Sequence, residues 1–126
     1  MQEAEGTAAR FAQRLQNLDA DMTSLQLELS RKGLIPMAMK TRRLIRATRN
    51  LLDANIAVLF PDDTAEVRED MHQLLDSADR QVELALREDY EFESIQQRLY
   101  MATAQGEYVV KTMVTALNEL QSTHRL

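Results

Sequence analysis

The sequence has no cysteine and no tryptophan, and only three glycines and two prolines among 126 residues. Without cysteine there can be no disulfide, no thiolate nucleophile and no cysteine-ligated zinc or iron–sulfur site. So few glycines and prolines argue against an all-β fold, which needs a turn every dozen residues or fewer. We therefore expect a single helical domain over residues 1–126, which is long enough to bury its own core.

Long apolar runs are also missing. No stretch of 18 consecutive apolar residues predicts a membrane span, and no apolar stretch behind a basic N-terminus resembles a signal peptide. A protein whose signal had already been removed would look the same, so the compartment stays open.

Motifs for catalysis are scarce. The chain has two histidines, His72 and His124, and neither a glycine-rich phosphate loop nor a Gly-x-Ser-x-Gly elbow. Glu69 and His72 form one Glu-x-x-His, the spacing of di-iron ligands in ferritin-like bundles, but that site needs a second such motif. We expect a solvated helix face there, no metal site and no enzymatic activity.

Apolar residues recur in alternating steps of three and four, which is typical of helices packed lengthwise. This spacing predicts four helices, over roughly 4–31, 36–60, 63–87 and 90–122. The turn signals agree: Gly33 and Pro36 separate the first two helices, and Pro61 precedes a capping box formed by Asp63 and Glu66. We place the last turn at Glu88–Tyr90, with Asp89 as the N-cap. The predicted inward residues are Ala4, Ala8, Phe11, Leu15, Leu18, Met22, Leu25 and Leu29 in helix one, Met37, Thr41, Leu44, Ile45, Thr48, Leu51, Leu52, Ile56 and Leu59 in helix two, Val67, Met71, Leu74, Leu75, Ala78, Val82, Ala85 and Leu86 in helix three, and Phe92, Ile95, Leu99, Ala102, Gly106, Val109, Met113, Ala116 and Leu120 in helix four.

Short connections force successive helices to run antiparallel. The predicted fold is therefore an all-α, antiparallel, up-down-up-down four-helix bundle in which helices one and four are longer than two and three. Helices one and four would then project together at one end. Such a projection favours a protein partner or a homodimer through these two helices, whereas a frayed N-terminus is the alternative. Gly106 on the inner stripe predicts close approach of a neighbouring backbone or a ligand.

Charge is segregated along the chain despite a modest net charge of −5. Residues 31–52 carry only basic charges, and residues 53–93 are strongly acidic. Arg42, Arg46 and Arg49 align on one face of helix two, which has two interpretations: pairing with acidic helix three, or binding of an anion or partner. The negative net charge of the chain and the lack of aromatic residues on the predicted outward faces argue against nucleic-acid binding.

Two stretches resemble one known family. Met22 lies in the stretch Leu18-Asp19-Ala20-Asp21-Met22-Thr23-Ser24-Leu25, and the second stretch runs Leu74-Leu75-Asp76-Ser77-Ala78-Asp79-Arg80-Gln81-Val82-Glu83-Leu84-Ala85. They are similar to the first and third helices of the soluble periplasmic four-helix cytochromes, the cytochrome b-five-six-two family. Tyr108 matches the aromatic residue before that family's axial histidine.

The resemblance implies a four-helix bundle, a periplasmic location and Met22 as an axial haem ligand. Val109, however, stands where the axial histidine should be, and valine cannot ligate iron. His124 lies about 22 Å further along a helix and cannot serve the same site. We therefore expect no cofactor, with haem b as the possibility that the resemblance leaves open.

Three functions remain open from the sequence. The first is a non-enzymatic helical bundle, similar to the four-helix cytochromes but without the haem-ligating histidine, that binds a partner or small ligand. The second is a b-type haem electron-transfer protein with unusual ligation. The third is a cytoplasmic adaptor or secretion-chaperone-like protein that pairs with a partner helix.

Overall fold

The computed structural model describes residues 2–28, 34–87 and 92–122. They form four α-helices: α1 (Gln2–Glu28), α2 (Leu34–Leu59), α3 (Thr64–Arg87) and α4 (Phe92–Ser122). These ranges contain no strand, so the all-helical fold class is confirmed. The four helices have 27, 26, 24 and 31 residues in chain order. The predicted turn residues Gly33, Glu88–Tyr90 and Asp89 lie outside the described residues, as does His124.

The described link between α2 and α3 follows the sequence signals closely. The last turn of α2 closes with a hydrogen bond from Phe60 N–H to the Ile56 carbonyl at 2.9 Å, and Pro61 then prevents the helix from continuing. At the start of α3, Val67 N–H donates to the Asp63 carbonyl at 3.0 Å. Asp63 therefore occupies the N-cap position, as predicted, because the N-cap carbonyl accepts the first bond of the helix. Pro36 lies in the first turn of α2, which begins two residues earlier than predicted.

Helices α2 and α4 form the centre of the bundle. Each contacts the other three helices, whereas α1 and α3 contact α2 and α4 but, within the described residues, not each other. A helix with three neighbours must bury a wider arc than a helix with two. This explains why residues beside the predicted narrow stripes are buried as well, namely Ala38, Thr103, Val110 and Leu117.

The core is built from the predicted stripes. Leu15, Leu25, Leu52, Leu75 and Leu99 are at most 1% exposed. Three threonines are also buried in the core, and the hydroxyl of each donates to the carbonyl four residues earlier, as Thr41 does to Met37 at 2.7 Å. The other two are Thr48 and Thr103. Internal hydrogen bonding of this kind lets a polar residue sit in an apolar core at little cost.

At Gly106 the Met22 side chain of α1 lies close to the backbone of α4. A Cβ atom at this position would lie 2.7 Å from Met22 Cε, 3.6 Å from Met22 Sδ and 3.8 Å from Ile45 Cγ1. Because Gly106 has no side chain, the Met22 thioether can occupy this space. The close approach that the sequence predicted at Gly106 is made by a side chain of α1. None of the described helices is both long and apolar enough to cross a bilayer.

Candidate functional site

The predicted anion-binding residue Arg49 is already neutralised by α3. Its Nη2 donates to Asp76 Oδ1 at 2.8 Å and to Asp79 Oδ2 at 3.0 Å. Its Nη1 lies 3.2 Å from His72 Nδ1, and His72 Nε2 is hydrogen-bonded to Asp53 Oδ1 on α2. These five residues, Arg49, Asp53, His72, Asp76 and Asp79, are called the α2–α3 network below.

Proton positions in the α2–α3 network follow from arginine chemistry. Burial of the Arg49 guanidinium acts to lower its pKa, but the hydrogen bonds and charges of Asp76 and Asp79 outweigh it, so the pKa is raised. Arginine carries only donors, so His72 Nδ1 is the acceptor of the hydrogen bond from Arg49. The ring proton is then on Nε2 and is donated to Asp53. Arg49 thus pairs with acidic α3, in agreement with the helix-pairing interpretation of the opposite charges.

Arg42 and Arg46 lie beside this network in a cavity of about 230 Å³ that Arg49, Asp79 and Glu83 also line. The structure does bring the three predicted arginines to one cavity. Two carboxylates line the same cavity, and Arg49 is engaged by Asp76 and Asp79. An anion would meet these carboxylates as well as the arginines, so the cavity is a weak anion site by charge alone.

Met22 and Val109, the residues that the cytochrome resemblance singles out, lie in the packed core. Both are 0% exposed, and Met22 is packed against Gly106. Val109 offers no ligating atom, so the residues present do not fit a haem held by two axial ligands. Tyr108 is 59% exposed on the outer side of α4. Among the described residues, no group of three or more His, Cys, Asp and Glu side chains could hold a metal ion.

A groove that sequence reasoning missed runs between α1 and α2. It has a volume of about 680 Å³ and is called the α1–α2 groove below. Its lining residues are Arg10, Phe11, Arg14, Asn17, Leu18 and Asp21 from α1, and Leu44, Ala47, Asn50, Leu51, Ala54 and Asn55 from α2. Each helix contributes a stretch from its first to its last lining residue of about 16 Å, or three turns. The groove is therefore about three turns long, with one row of lining residues on α1 and one on α2.

The floor of the α1–α2 groove is apolar and its rim is polar. Phe11 and Leu18 are buried, whereas Leu44 and Leu51 are only half-buried because the groove leaves one side of them uncovered. Between residues 10–21 and 44–55, all of which are described, no hydrogen bond or ion pair joins the two helices. Ala47 and Ala54 have side chains too small to fill the space. In the sequence, the signal that could have indicated this groove is the pair of small residues Ala47 and Ala54, each three positions after a predicted inward leucine.

Helix α1 is instead held to α4. Lys111 Nζ lies 2.8 Å from Asp19 Oδ1 and donates a hydrogen bond to Oδ2 at 3.1 Å. This hydrogen bond is the main reason that the pKa of Lys111 is raised; desolvation opposes it, and the charges of Asp19 and Glu107 add to it. With the Met22–Gly106 contact, this ion pair fixes α1 on the side away from the groove.

Comparison of the chain with protein-family models, with curated proteins and with solved structures finds no match. The cytochrome resemblance, and the periplasmic location that it implies, therefore stay predictions.

Proposed function

We propose that the chain is a non-enzymatic helical-bundle protein that works by binding a ligand, and that the α1–α2 groove is its binding surface. The observation that carries the proposal is an apolar groove, three helical turns long, along which the described residues leave Leu44 and Leu51 only half-buried. Its volume falls in the range of small-molecule sites, about 300–1,000 Å³. A few polar groups on the rim, above all Arg10 and Arg14, would orient the ligand.

We also propose that the four helices form an up-down-up-down bundle in which α1 and α3 lie at opposite corners. The absence of contact between these two helices in the described residues supports it, as does the four-residue, non-helical link at residues 60–63. A ligand between α1 and α2 would then bind on an outer edge of the bundle, without opening its core.

Binding can be tested with a neutral apolar probe, N-phenyl-1-naphthylamine, whose fluorescence rises in an apolar site. We expect saturable enhancement with the wild-type protein. Ala47→Glu, which introduces a carboxylate at the α2 rim of the groove, should weaken probe binding at least fivefold. Ala104→Glu makes the same change at an exposed position of α4 and serves as the matched control. Equal binding by both variants, or no saturable enhancement, would contradict the proposal.

Pairing of two copies through α1 and α4 remains an alternative mode of action. Met101 and Tyr108 favour it, because these exposed apolar residues lie seven positions apart and therefore on one face of α4. Light scattering of the wild-type protein and of Tyr108→Glu tests it. A dimer that this substitution dissociates would support pairing, and a wild-type monomer at high protein concentration would exclude it.

A further inference from the structure

We infer that the α1–α2 groove selects an amphiphilic anion: one acidic head group on an unbranched apolar chain. This inference rests on the proposed function and adds the chemical class of the ligand. Three features carry it, namely a row of donors on the α1 rim, the placement of the groove's acid, and the shape of the floor.

The row of donors consists of Arg10, Arg14 and Asn17. Their spacing of four and then three residues puts all three on the same edge of α1, and all three line the groove. Within the described residues, neither arginine has an acidic side chain in ion-pair range. The side-chain oxygen of Asn17, Oδ1, accepts a hydrogen bond from Gln13 Nε2 at 3.0 Å, so the N–H groups of the Asn17 side chain are left to donate. A carboxylate or sulfate head accepts from such a row.

The acid of the groove lies away from the two arginines of this row. Asp21 is the acidic residue among the lining residues. It stands seven residues after Arg14 and eleven after Arg10, or about 10 Å and 16 Å along the axis of α1. The groove therefore has a positive end and a negative end. An anionic head is favoured at the Arg10–Arg14 end, and repulsion by Asp21 opposes the reverse orientation.

The shape of the floor favours an unbranched chain. The apolar floor is formed by Phe11 and Leu18 on α1 and by Leu44 and Leu51 on α2, within lining stretches about 16 Å long on each helix. Its rim at the α2 side bears neutral amides and alanines, with no further cation. An acidic partner helix would carry acids along its whole length, whereas this groove offers cations at one end. The charge distribution therefore fits a ligand with one head group.

Competition with bound N-phenyl-1-naphthylamine tests the inference, with decanoate, decanol and decyltrimethylammonium as competitors below their micellar concentrations. These share a ten-carbon chain and differ in the charge of the head. We expect decanoate to displace the probe at least tenfold more effectively than decanol, and decyltrimethylammonium to be the weakest. The double variant R10Q/R14Q should bring decanoate to the level of decanol. R68Q/R80Q, which removes two exposed arginines from α3, should leave the preference intact.

The outcomes separate the inference from the proposed function. If the probe binds and Ala47→Glu weakens it, but decanoate and decanol compete equally, the inference is wrong and the proposed function stands. Retention of the decanoate preference in R10Q/R14Q, with wild-type circular dichroism, would also overturn the inference. If the probe does not bind the wild-type protein in a saturable manner, both fail together.

Discussion

The two flanks of α2 are joined to their neighbours in different ways. Toward α3, the α2–α3 network links the helices through Arg49 and His72. Toward α1, no hydrogen bond or ion pair joins residues 44–55 to residues 10–21, all of which are described, and a groove remains between them. Ala47 and Ala54 are small, so the α1 flank stays open.

The comparison also shows why charge segregation is a poor guide to a binding site. The basic block of α2 suggested a site at Arg42, Arg46 and Arg49, but acidic α3 neutralises Arg49. Arg10 and Arg14 belong to no basic cluster in the sequence, yet they line a groove whose acidic lining residue, Asp21, lies away from them. A cation can act on a ligand only when its neighbours leave it uncompensated.

The largest expected effect contrasts the closed core with the open groove. Leu99→Ala removes a side chain that is 0% exposed and should lower the free energy of unfolding by about 2–5 kcal/mol. Leu51→Ala removes a half-buried groove residue and should cost only about 1 kcal/mol, since less area is lost from contact. Urea unfolding measures both. Equal losses would mean that the groove floor is as tightly packed as the core.

A second prediction concerns the side of α1 that faces away from the groove. Gly106→Leu inserts a side chain where Met22 Cε already lies and should cost about 1–3 kcal/mol through overpacking. Combining it with Met22→Ala should recover part of that loss, because the two side chains compete for one space. Additive losses in the double-mutant cycle would contradict the close approach.

The third prediction compares the two flanks of α2 directly. Arg49→Met leaves His72, Asp76 and Asp79 without their shared donor. The loss should be about 1 kcal/mol, because the Asp76 and Asp79 side chains are 70% and 46% exposed and solvent screens their ion pairs with Arg49. Arg14→Met on the groove rim should change the free energy of unfolding by less than about 0.5 kcal/mol. A larger loss at Arg14 would mean that the groove rim holds α1 in place.

The smallest effect is a dependence on alkaline pH. The pKa of Lys111 is raised above its ordinary value of 10.5, chiefly by the hydrogen bond to Asp19. A raised pKa in the folded state adds stability that is complete below the ordinary value and is lost as the pH rises through the folded value. Wild-type protein should therefore lose slightly more stability above pH 10.5 than Lys111→Met does. Parallel curves of unfolding free energy against pH would contradict this.

Much of the fold could be predicted because periodicity and capping are local. The stripe through Leu15, Leu18, Met22 and Leu25 is buried as expected, and Asp63 caps α3. The additional burial of Val110 and Leu117 depends on contact between α2 and α4 across the bundle. No single-helix pattern contains that information.

The candidate site was less predictable for the same reason. Leu44 and Leu51 satisfy the inward pattern in sequence, but the distance between two helices decides whether a neighbour covers them. That distance depends on Ala47 and Ala54 on one helix and on the Lys111–Asp19 and Met22–Gly106 contacts of another pair. Site geometry thus arises from tertiary packing, whereas the stripes arise from local spacing.

Methyl chemical-shift mapping of the wild-type protein during titration with decanoate tests the central claim most directly. The methyl groups of Leu44 and Leu51 lie in the α1–α2 groove, whereas those of Leu74 and Val82 lie on α3. We expect saturable shifts at the first pair and none at the second. Shifts confined to α3, or spread evenly over the core, would contradict the assignment of the α1–α2 groove as the binding surface.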